Sequence, residues 1–172
     1  MELIARRLIR DVPDFPKAGI LFKDIWPVVQ DARAFRQVIE RMTEYGRSRA
    51  PDAIMAIESR GFVFGAPLAL ALNCGFLPVR KLGNLPGETI REEYELEYAS
   101  STVEMQKGAV QPGQRVLLVD DLLATGGTAA AAGRITERLG GEVVGCVFLV
   151  ELTFLNGREA LAGYDVLSLI EY

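Results

Sequence analysis

The chain has 172 residues, 49% of them hydrophobic, and a formal net charge of −4 at pH 7. The length predicts a single domain spanning residues 1–172, and the hydrophobic content excludes a disordered chain. The negative charge argues against a nucleic-acid-binding protein with a broad basic face, but it does not exclude a local basic pocket for a small anion. The chain has no histidine, which excludes Ser-His and Cys-His catalysis and every histidine-ligated metal site.

The two cysteines, Cys74 and Cys146, lie in apolar stretches of sequence and lack CxxC spacing. This predicts buried free thiols of an intracellular protein. The first ten residues lack the apolar core of a signal peptide, and no apolar run approaches the ~20 residues of a membrane span. We therefore expect a soluble, cytoplasmic protein that binds neither membranes nor nucleic acid.

Residues 1–30 are expected to form an N-terminal hood. A short apolar helix should end before Pro13, and residues 11–27 then combine proline and glycine with many aromatic and aliphatic side chains. Proline and glycine at this density exclude a regular helix, whereas the apolar content indicates a packed loop. The segment is either a simple cover over one end of the core or an apolar slot whose backbone groups recognise a planar base.

The next predicted element is a helix that Asp31 caps, that runs to about Tyr45 and that Gly46 closes. Its apolar residues recur at helical spacing, which indicates core packing. No chemistry is assigned to this helix.

A polar turn follows the first buried strand, residues 53–57. The turn begins with Glu58, Ser59 and Arg60, and residues 62–73 are then predicted to form a helix. Arg60 at such a position can bind an anion through its guanidinium group. The alternative is an ordinary turn between a strand and a helix, with an arginine at the surface.

Two adjacent cations, Arg80 and Lys81, follow the next predicted strand, residues 76–79. They suggest a loop that faces phosphate. Residues 82–106 alternate apolar and aromatic residues with acids, which is typical of strands with one polar face. We interpret this segment as an antiparallel excursion outside the parallel sheet. It is either a flexible flap, which its length favours, or a solvated hairpin.

The most informative stretch is residues 116–132, in which a hydrophobic strand ends in Asp120 and Asp121 and a loop of small residues opens a helix. Backbone N–H groups of such a loop, with the positive end of the helix dipole, can bind a phosphate. The two glycines allow the backbone to approach closely. The neighbouring acids are placed to hold ribose hydroxyls or a hydrated magnesium ion. The loop residues are Ala124, Thr125, Gly126, Gly127 and Thr128.

Strands and helices alternate along the chain, with further strands predicted within residues 142–150 and 164–172. Four strands are near-continuous apolar runs, as in parallel sheets that are covered on both faces. The predicted fold class is α/β, a mostly parallel twisted sheet flanked by helices. The polar segments that follow strands, including the loop that begins at residue 151, should gather along one edge, where open α/β sheets bind ligands.

The central motif is neither a P-loop, which needs a lysine among the phosphates, nor a dinucleotide fingerprint. It resembles the signature for 5-phospho-α-D-ribose 1-diphosphate (PRPP) of the type I phosphoribosyltransferases. Five further motifs resemble the adenine phosphoribosyltransferases within that family, and the resemblance covers nearly the whole chain. In order, the six motifs are residues 15–25, 58–62, 80–81, 85–87, 94–98 and 120–128.

The resemblance implies a purine salvage reaction in which adenine and PRPP give AMP and pyrophosphate, with magnesium. The magnesium ion should be bound mainly through PRPP and water, near Asp120 and Asp121. These two acids should act at the ribose, and Glu97 is the candidate proton-transfer group for adenine. In similar enzymes some basic residues reach the site of the partner subunit, which implies a homodimer.

The resemblance also implies the remaining binding roles. Residues 124–128 should bind the 5′-phosphate, and Tyr98 should belong to the flap that closes over the site. The candidate pyrophosphate-binding residues are Ser59, Arg60, Arg80 and Lys81, and the candidate adenine-binding residues are Leu21, Phe22, Lys23 and Leu155.

Three residues depart from the family pattern. Asn84 stands at the second lysine of the Arg-Lys-x-Gly-Lys-Leu-Pro pattern, so one cation near pyrophosphate is missing and Asn84 is left out of the predicted site. Lys23 stands where many relatives carry arginine, a change that matters only if the side chain acts. Ala99 replaces a glycine after Glu-Tyr, which would stiffen the flap.

Two other functions are compatible with the PRPP motif. A salvage enzyme for another base, such as hypoxanthine, would share it, although residues 15–25 and 151–155 resemble the adenine type. A non-catalytic regulator that senses PRPP can use the same fold. Such a regulator would need a surface for DNA or a partner, and the chain has neither a spare domain nor a basic patch.

Overall fold

The computed structural model describes residues 3–96 and 99–172. The chain divides into two compact units, Met1–Met42 and Thr43–Tyr172. Within the described ranges, none of the helices is both long enough and apolar enough to cross a membrane.

The first unit holds a small antiparallel hairpin between short helices. Its elements are α1 (Ala5–Leu8), β1 (Arg10–Pro13), β2 (Leu21–Asp24), α2 (Trp26–Gln30) and the first part of α3 (Ala32–Arg49). The prediction of a packed irregular loop over residues 11–27 was therefore partly wrong. β1 pairs with β2, and the pair is reinforced by ion pairs from Arg10 to Asp24 at 2.7 Å and from Lys23 to Asp11 at 2.6 Å.

Helix α3 begins as predicted but ends later. The Oδ1 atom of Asp31 accepts hydrogen bonds from the N–H groups of Arg33 and Ala34, at 3.0 and 2.8 Å, which confirms the N-cap. Gly46 does not end the helix. A Cβ atom at Gly46 would lie 2.6 Å from Cδ1 of Leu72, so the glycine permits close helix packing instead.

The second unit is built on a seven-stranded sheet. Its strands are β3 (Ala53–Ile57), β4 (Gly75–Lys81), β5 (Thr89–Leu96), β6 (Ala99–Gln106), β7 (Arg115–Leu123), β8 (Glu142–Glu151) and β9 (Val166–Glu171). Its helices are α4 (Arg60–Leu72), α5 (Gly127–Arg138), a 3₁₀ turn (Thr153–Leu155) and α6 (Gly157–Ala160).

The sheet order is β5-β6-β4-β3-β7-β8-β9, in which β4, β3, β7, β8 and β9 run parallel. The hairpin β5-β6 is antiparallel, as predicted for residues 82–106, but it does not lie outside the sheet. β6 pairs with the end of β4, with Arg80 opposite Glu104 and Lys81 opposite Val103. The excursion therefore extends the sheet at one edge.

Helices cover both faces of the parallel strands, which confirms the predicted α/β architecture. On one face, a Cβ atom at Gly65 of α4 would lie 2.5 Å from Cβ of Ala56 in β3. On the other face, the hydroxyl of Thr136 in α5 donates to the sulfur of Met55 at 3.2 Å. All five residues of β3 are buried, because a strand covered on both faces has no side exposed to water.

Candidate active site

A cavity of about 140 Å³ lies where three neighbouring parallel strands end. Strands β3, β4 and β7 share one direction, so their carboxyl ends meet at one edge of the sheet. Side chains from these ends, from α4 and α5 and from the hairpin surround the cavity. The lining residues are Ile57, Glu58, Arg60, Arg80, Lys81, Tyr94, Val103, Asp120, Asp121 and Thr128.

The loop between β7 and α5 forms a second, smaller cavity of about 70 Å³, lined by Asp120 and residues 122–129. Helix α5 starts at Gly127 without a side-chain cap, so the N–H groups of its first turn have no partner within the helix. These donors and the helix dipole suit a bound phosphate. The strand was predicted to end at the two acids, but it continues to Leu123.

The loop is supported from behind by another backbone segment. Gly126 has a φ of +82°, and a Cβ atom there would lie 2.3 Å from the carbonyl oxygen of Gly157 at the start of α6. The two chain segments therefore touch through backbone atoms, and only glycine fits at this contact. Sequence reasoning missed Gly157, because no local pattern shows that residues 31 positions apart meet.

The paired acids lie side by side in a poorly solvated place. Asp121 is 3% exposed, and its Oδ2 atom lies 3.0 Å from Nε of Arg60. Asp120 is half-buried, and its Oδ1 atom accepts the N–H of Asp121 at 2.9 Å. Burial raises the pKa of both carboxyls, and the charge of Asp121 raises that of Asp120 further. The guanidinium group of Arg60 opposes this rise and favours the charged form of Asp121.

The start of α4 approaches this acid pair unusually closely. A Cβ atom at Gly61 would lie 2.8 Å from Oδ1 of Asp120 and 3.1 Å from the carbonyl oxygen of Val119. A glycine at this point brings Arg60 within reach of Asp121. Exposed Ser59 precedes Arg60 as the N-cap residue of the helix.

Glu58 organises the cationic side of the cavity, although it was not among the predicted site residues. Its carboxylate accepts hydrogen bonds from Nε of Arg80, from the N–H of Lys81 at 3.1 Å and from Nδ2 of Asn84 at 3.0 Å. Burial alone would raise the pKa of Glu58, but these bonds outweigh it and lower the pKa. The sequence feature that could have identified Glu58 is its position as the first polar residue after β3.

The predicted base-side residues are distributed over both units. Leu21, Phe22 and Lys23 lie in β2 of the first unit, where Leu21 is half exposed and the ring of Phe22 packs edge-to-face on that of Phe15 at 5.1 Å. Leu155 lies in the 3₁₀ turn of the second unit and is 38% exposed.

Two predicted flap residues, Glu97 and Tyr98, lie outside the described residues. The neighbouring Tyr94 of β5 reaches the main cavity. A Cβ atom at Gly127 would lie 3.2 Å from the Tyr94 ring. The hairpin thus contacts the start of α5 through an aromatic side chain that the predicted site did not include.

Comparison with known proteins identifies the family. The phosphoribosyl transferase domain family matches residues 28–163. An adenine phosphoribosyltransferase from Halothermothrix orenii is 54% identical over 171 residues, which cover 99% of each chain. The chain belongs to the adenine phosphoribosyltransferase family.

Solved structures of adenine phosphoribosyltransferases share the fold throughout. The protein from Thermoanaerobacter pseudethanolicus matches with a TM-score of 0.95 at 55% identity, over 98% of both chains. The protein from Saccharomyces cerevisiae, in complex with an imino-altritol bisphosphate and adenine, matches with a TM-score of 0.91 at 41% identity, over 96% of both chains.

Two departures from the adenine phosphoribosyltransferase pattern have defined surroundings. The side-chain amide of Asn84 donates to Glu58, and the backbone carbonyl oxygen of Asn84 accepts a hydrogen bond from Arg80 at 2.8 Å. Asn84 therefore contacts the cationic side of the cavity even without a charge. The ammonium group of Lys23 pairs with Asp11.

Asp120 and Asp121 are candidate ligands for a metal ion. Among residues 3–96 and 99–172, no three acidic, cysteine or histidine side chains are grouped so that they could hold a metal ion. Asp120 and Asp121 supply carboxylate oxygens at the cavity, and such oxygens suit magnesium when phosphate and water complete its shell. The donor chemistry therefore fits a magnesium ion that is shared with a bound diphosphate.

Proposed function

We propose that this chain catalyses the transfer of a phosphoribosyl group from PRPP to adenine, giving AMP and pyrophosphate in purine salvage. The observation that carries the proposal is the cavity in which Arg60, Arg80 and Lys81 face Asp120 and Asp121 beside the phosphate loop. Similarity to adenine phosphoribosyltransferases over nearly the whole chain supports the same reaction.

Residues 124–128 would hold the 5′-phosphate. The uncapped N-terminus of α5 supplies N–H donors, and Thr125 and Thr128 supply hydroxyl groups. This phosphate does not react, so its binding energy can position the ribose for attack. The fixed loop would set the distance between the ribose C1′ and the base.

Asp120 and Asp121 would hold the ribose hydroxyls. The bond between C1′ and pyrophosphate breaks through a state with positive charge on the ribose, and N9 of adenine attacks from the opposite face. Fixed negative charge in a poorly solvated place stabilises that state more than it stabilises neutral ribose. Arg60, 3.0 Å from Asp121, would favour the charged form of this acid and oppose the effect of its burial.

Ser59, Arg60, Arg80 and Lys81 would bind the leaving pyrophosphate. Guanidinium groups bind phosphate oxygens in pairs, whereas a lysine acts as a point charge. A magnesium ion, bound mainly through PRPP and water near Asp120 and Asp121, would supply further neutralisation of the leaving group.

Adenine would lie against Leu21 and Phe22, with Lys23 acting through its backbone and Leu155 on the other face of the base. The ion pair of the Lys23 side chain with Asp11 supports a backbone role. Glu97 would transfer a proton to or from adenine, and Tyr98 would close over the site with it. Glu97→Gln should lower turnover about a hundredfold with little change in PRPP affinity, and an unchanged turnover would reject the role.

The proposal includes a homodimer in the cytoplasm. Family resemblance supports the dimer, which light scattering would detect as twice the 18.9 kDa mass of one chain. The two cysteines are free thiols, as is usual in a reducing compartment.

The deciding experiment is an assay of pyrophosphate release by the purified protein with PRPP, magnesium and one base at a time. We expect rapid release with adenine and much slower release with hypoxanthine or guanine. Equal release with hypoxanthine would place the chain among enzymes for another base. Tight PRPP binding without release for any base would indicate a regulator instead of an enzyme.

A further inference from the structure

Glu104 is a buried acid that the reaction described above does not use. It lies in β6, opposite Arg80 of β4 and Arg91 of β5. Its neighbours along the strand, Val103 and Met105, belong to the hydrophobic core. Glu104 itself is only 1% exposed. A carboxylate so far from water is strongly destabilising unless other groups satisfy it.

The partners of Glu104 are mainly backbone groups of one short loop. Its Oε1 atom accepts hydrogen bonds from three consecutive N–H groups, those of Gly83, Asn84 and Leu85, at 2.9, 3.1 and 3.1 Å. Its Oε2 atom accepts the hydroxyl of Thr89 at 2.9 Å, and Nε of Arg91 lies 3.7 Å away. Successive N–H groups that converge on one atom form a concave binding site for an anion.

The charge of Glu104 is stabilised by these bonds. Burial alone would raise its pKa, but the hydrogen bonds from Leu85, Thr89, Gly83 and Asn84 outweigh burial and lower it. The side chain is therefore ionised at neutral pH and holds the loop with charge-assisted hydrogen bonds.

The loop that Glu104 holds follows the two cations of the cavity, with only Leu82 between them. From this loop, Asn84 donates its side-chain amide to Glu58 at 3.0 Å, and its backbone carbonyl oxygen accepts a hydrogen bond from Arg80 at 2.8 Å. Glu58 in turn accepts the N–H of Lys81. A continuous set of hydrogen bonds therefore connects the buried carboxylate to the guanidinium group of Arg80 and to the backbone of Lys81.

We propose that Glu104 is a positioning residue for pyrophosphate, because its carboxylate folds the loop of residues 83–85 so that Arg80 and Lys81 face the cavity. This inference rests on the proposed function and adds to it a residue that touches no substrate. The ligand concerned is the diphosphate group, either free or as part of PRPP.

Pyrophosphate and AMP should respond differently to the loss of Glu104. A diphosphate uses the cations that the loop positions, whereas AMP uses the loop of residues 124–128 and the acid pair. Loss of Glu104 should therefore weaken pyrophosphate binding and leave AMP binding nearly unchanged. A residue that only stabilises the fold would weaken both equally, or neither.

The test is calorimetric titration of the purified full chain with inorganic pyrophosphate and, separately, with AMP. For Glu104→Ala we expect pyrophosphate affinity to fall at least about tenfold, as for loss of several hydrogen bonds to a charged group, and AMP affinity to change less than about twofold. Glu104→Gln keeps an acceptor for the three N–H groups but loses the charge, so pyrophosphate affinity should fall less than in Glu104→Ala, by about three- to fivefold. Thr89→Val removes only the hydrogen bond to Oε2 and should lower pyrophosphate affinity about twofold.

A matched control separates positioning from stability. Val110 is a buried core residue, and Val110→Ala should lower the melting temperature without a selective effect on pyrophosphate. A selective loss in Glu104→Gln or Thr89→Val supports the proposal even if Glu104→Ala does not fold. Equal losses for both ligands, or wild-type pyrophosphate affinity in all Glu104 and Thr89 variants, would overturn it.

Failure of the proposed function would look different. If the wild-type chain released no pyrophosphate from PRPP with any base, but the variants still lost pyrophosphate affinity selectively, the positioning role would stand and the reaction would be rejected. If wild-type turnover were normal but the variants lost pyrophosphate and AMP affinity equally, only the role of Glu104 would be rejected.

Discussion

The two anion-facing loops of the candidate active site are held in place by different forces. The loop of residues 124–128 is fixed by backbone packing, since a Cβ atom on Gly157 would lie 2.3 Å from the carbonyl oxygen of Ala124. The turn of residues 80–85 is fixed by carboxylates, since Glu58 and Glu104 accept the hydrogen bonds that shape it.

This difference predicts different sensitivities. A loop held by close backbone contact tolerates no added side chain, but it has no charge that pH could alter. A turn held by ionised acids tolerates small changes of shape, but it depends on the charge of those acids. The first arrangement suits a phosphate that stays in place, and the second suits a diphosphate that must leave.

The largest expected effect is that of Gly126→Ala. Gly126 combines a φ of +82° with a carbonyl oxygen 2.3 Å from the position of a Cβ atom. We expect turnover of adenine and PRPP to fall by about a hundredfold or more, since the loop must shift to relieve both strains. Steady-state assays at saturating substrate would measure the loss.

Gly163→Ala is the matched control for that prediction. Gly163 has a similar φ of +99°, but a Cβ atom there would have no heavy atom within 4 Å. This variant should lose about 1–2 kcal/mol of stability and keep its turnover. Equal loss of turnover in both variants would show that backbone strain, and not the contact with Gly157, decides the effect.

Asp121→Asn should have the next largest effect. The change keeps the shape of a buried side chain but removes the charge that faces Arg60. We expect turnover to fall about ten- to hundredfold and PRPP affinity to fall severalfold, because the partly buried Arg60 loses its counter-ion. Glu142→Gln, which alters an exposed acid paired with Arg115 at 3.3 Å, should stay within about twofold of wild type.

A pH series on Glu104→Gln would sharpen the contrast between the loops. The folded pKa of Glu104 is lowered, so its stabilisation is fully present above the unfolded value of about 4.3 and is lost as pH falls through the folded pKa. The difference in melting temperature from wild type should amount to a few degrees at pH 7. It should shrink below about pH 4.

The same series on Gly126→Ala should give a difference in melting temperature that does not depend on pH. A constant difference for Glu104→Gln down to pH 3 would contradict the charge-based account of the turn. Thermal melts followed by circular dichroism would provide both curves.

The smallest expected effect is that of Asn84→Lys. A lysine there would replace the amide that donates to Glu58 at 3.0 Å and would add a cation near the diphosphate. Because the position is exposed, we expect only about a two- to threefold gain in PRPP affinity at low salt. Weaker binding would mean that the amide itself is needed to hold Glu58.

The sequence predicted the parts of the fold that depend on local pattern. Buried strands such as residues 53–57 are recognisable because a strand covered on both faces must be apolar throughout. The acids at residues 120–121 and the small-residue loop after them are adjacent in sequence, so their spacing alone suggested a phosphate site.

The remaining features depend on contacts between distant segments. Gly46 looked like a helix end, but Leu72 from another helix determines why a glycine is there. Glu104 lies in a segment predicted only to have one polar face, because the loop whose N–H groups satisfy its carboxylate lies 19–21 positions away. The contact of Gly126 with Gly157 likewise leaves no trace in local periodicity.

The contact between Gly126 and Gly157 also bears on how this protein can be altered by design. Gly157 follows the 3₁₀ turn that carries Leu155, so the segment expected to touch the base is joined directly to the support of the phosphate loop. A library that varies residues 153–155 to change base preference should therefore keep Gly157 constant. Insertions or deletions in that segment would move the support and misplace the sugar, whatever base they favour.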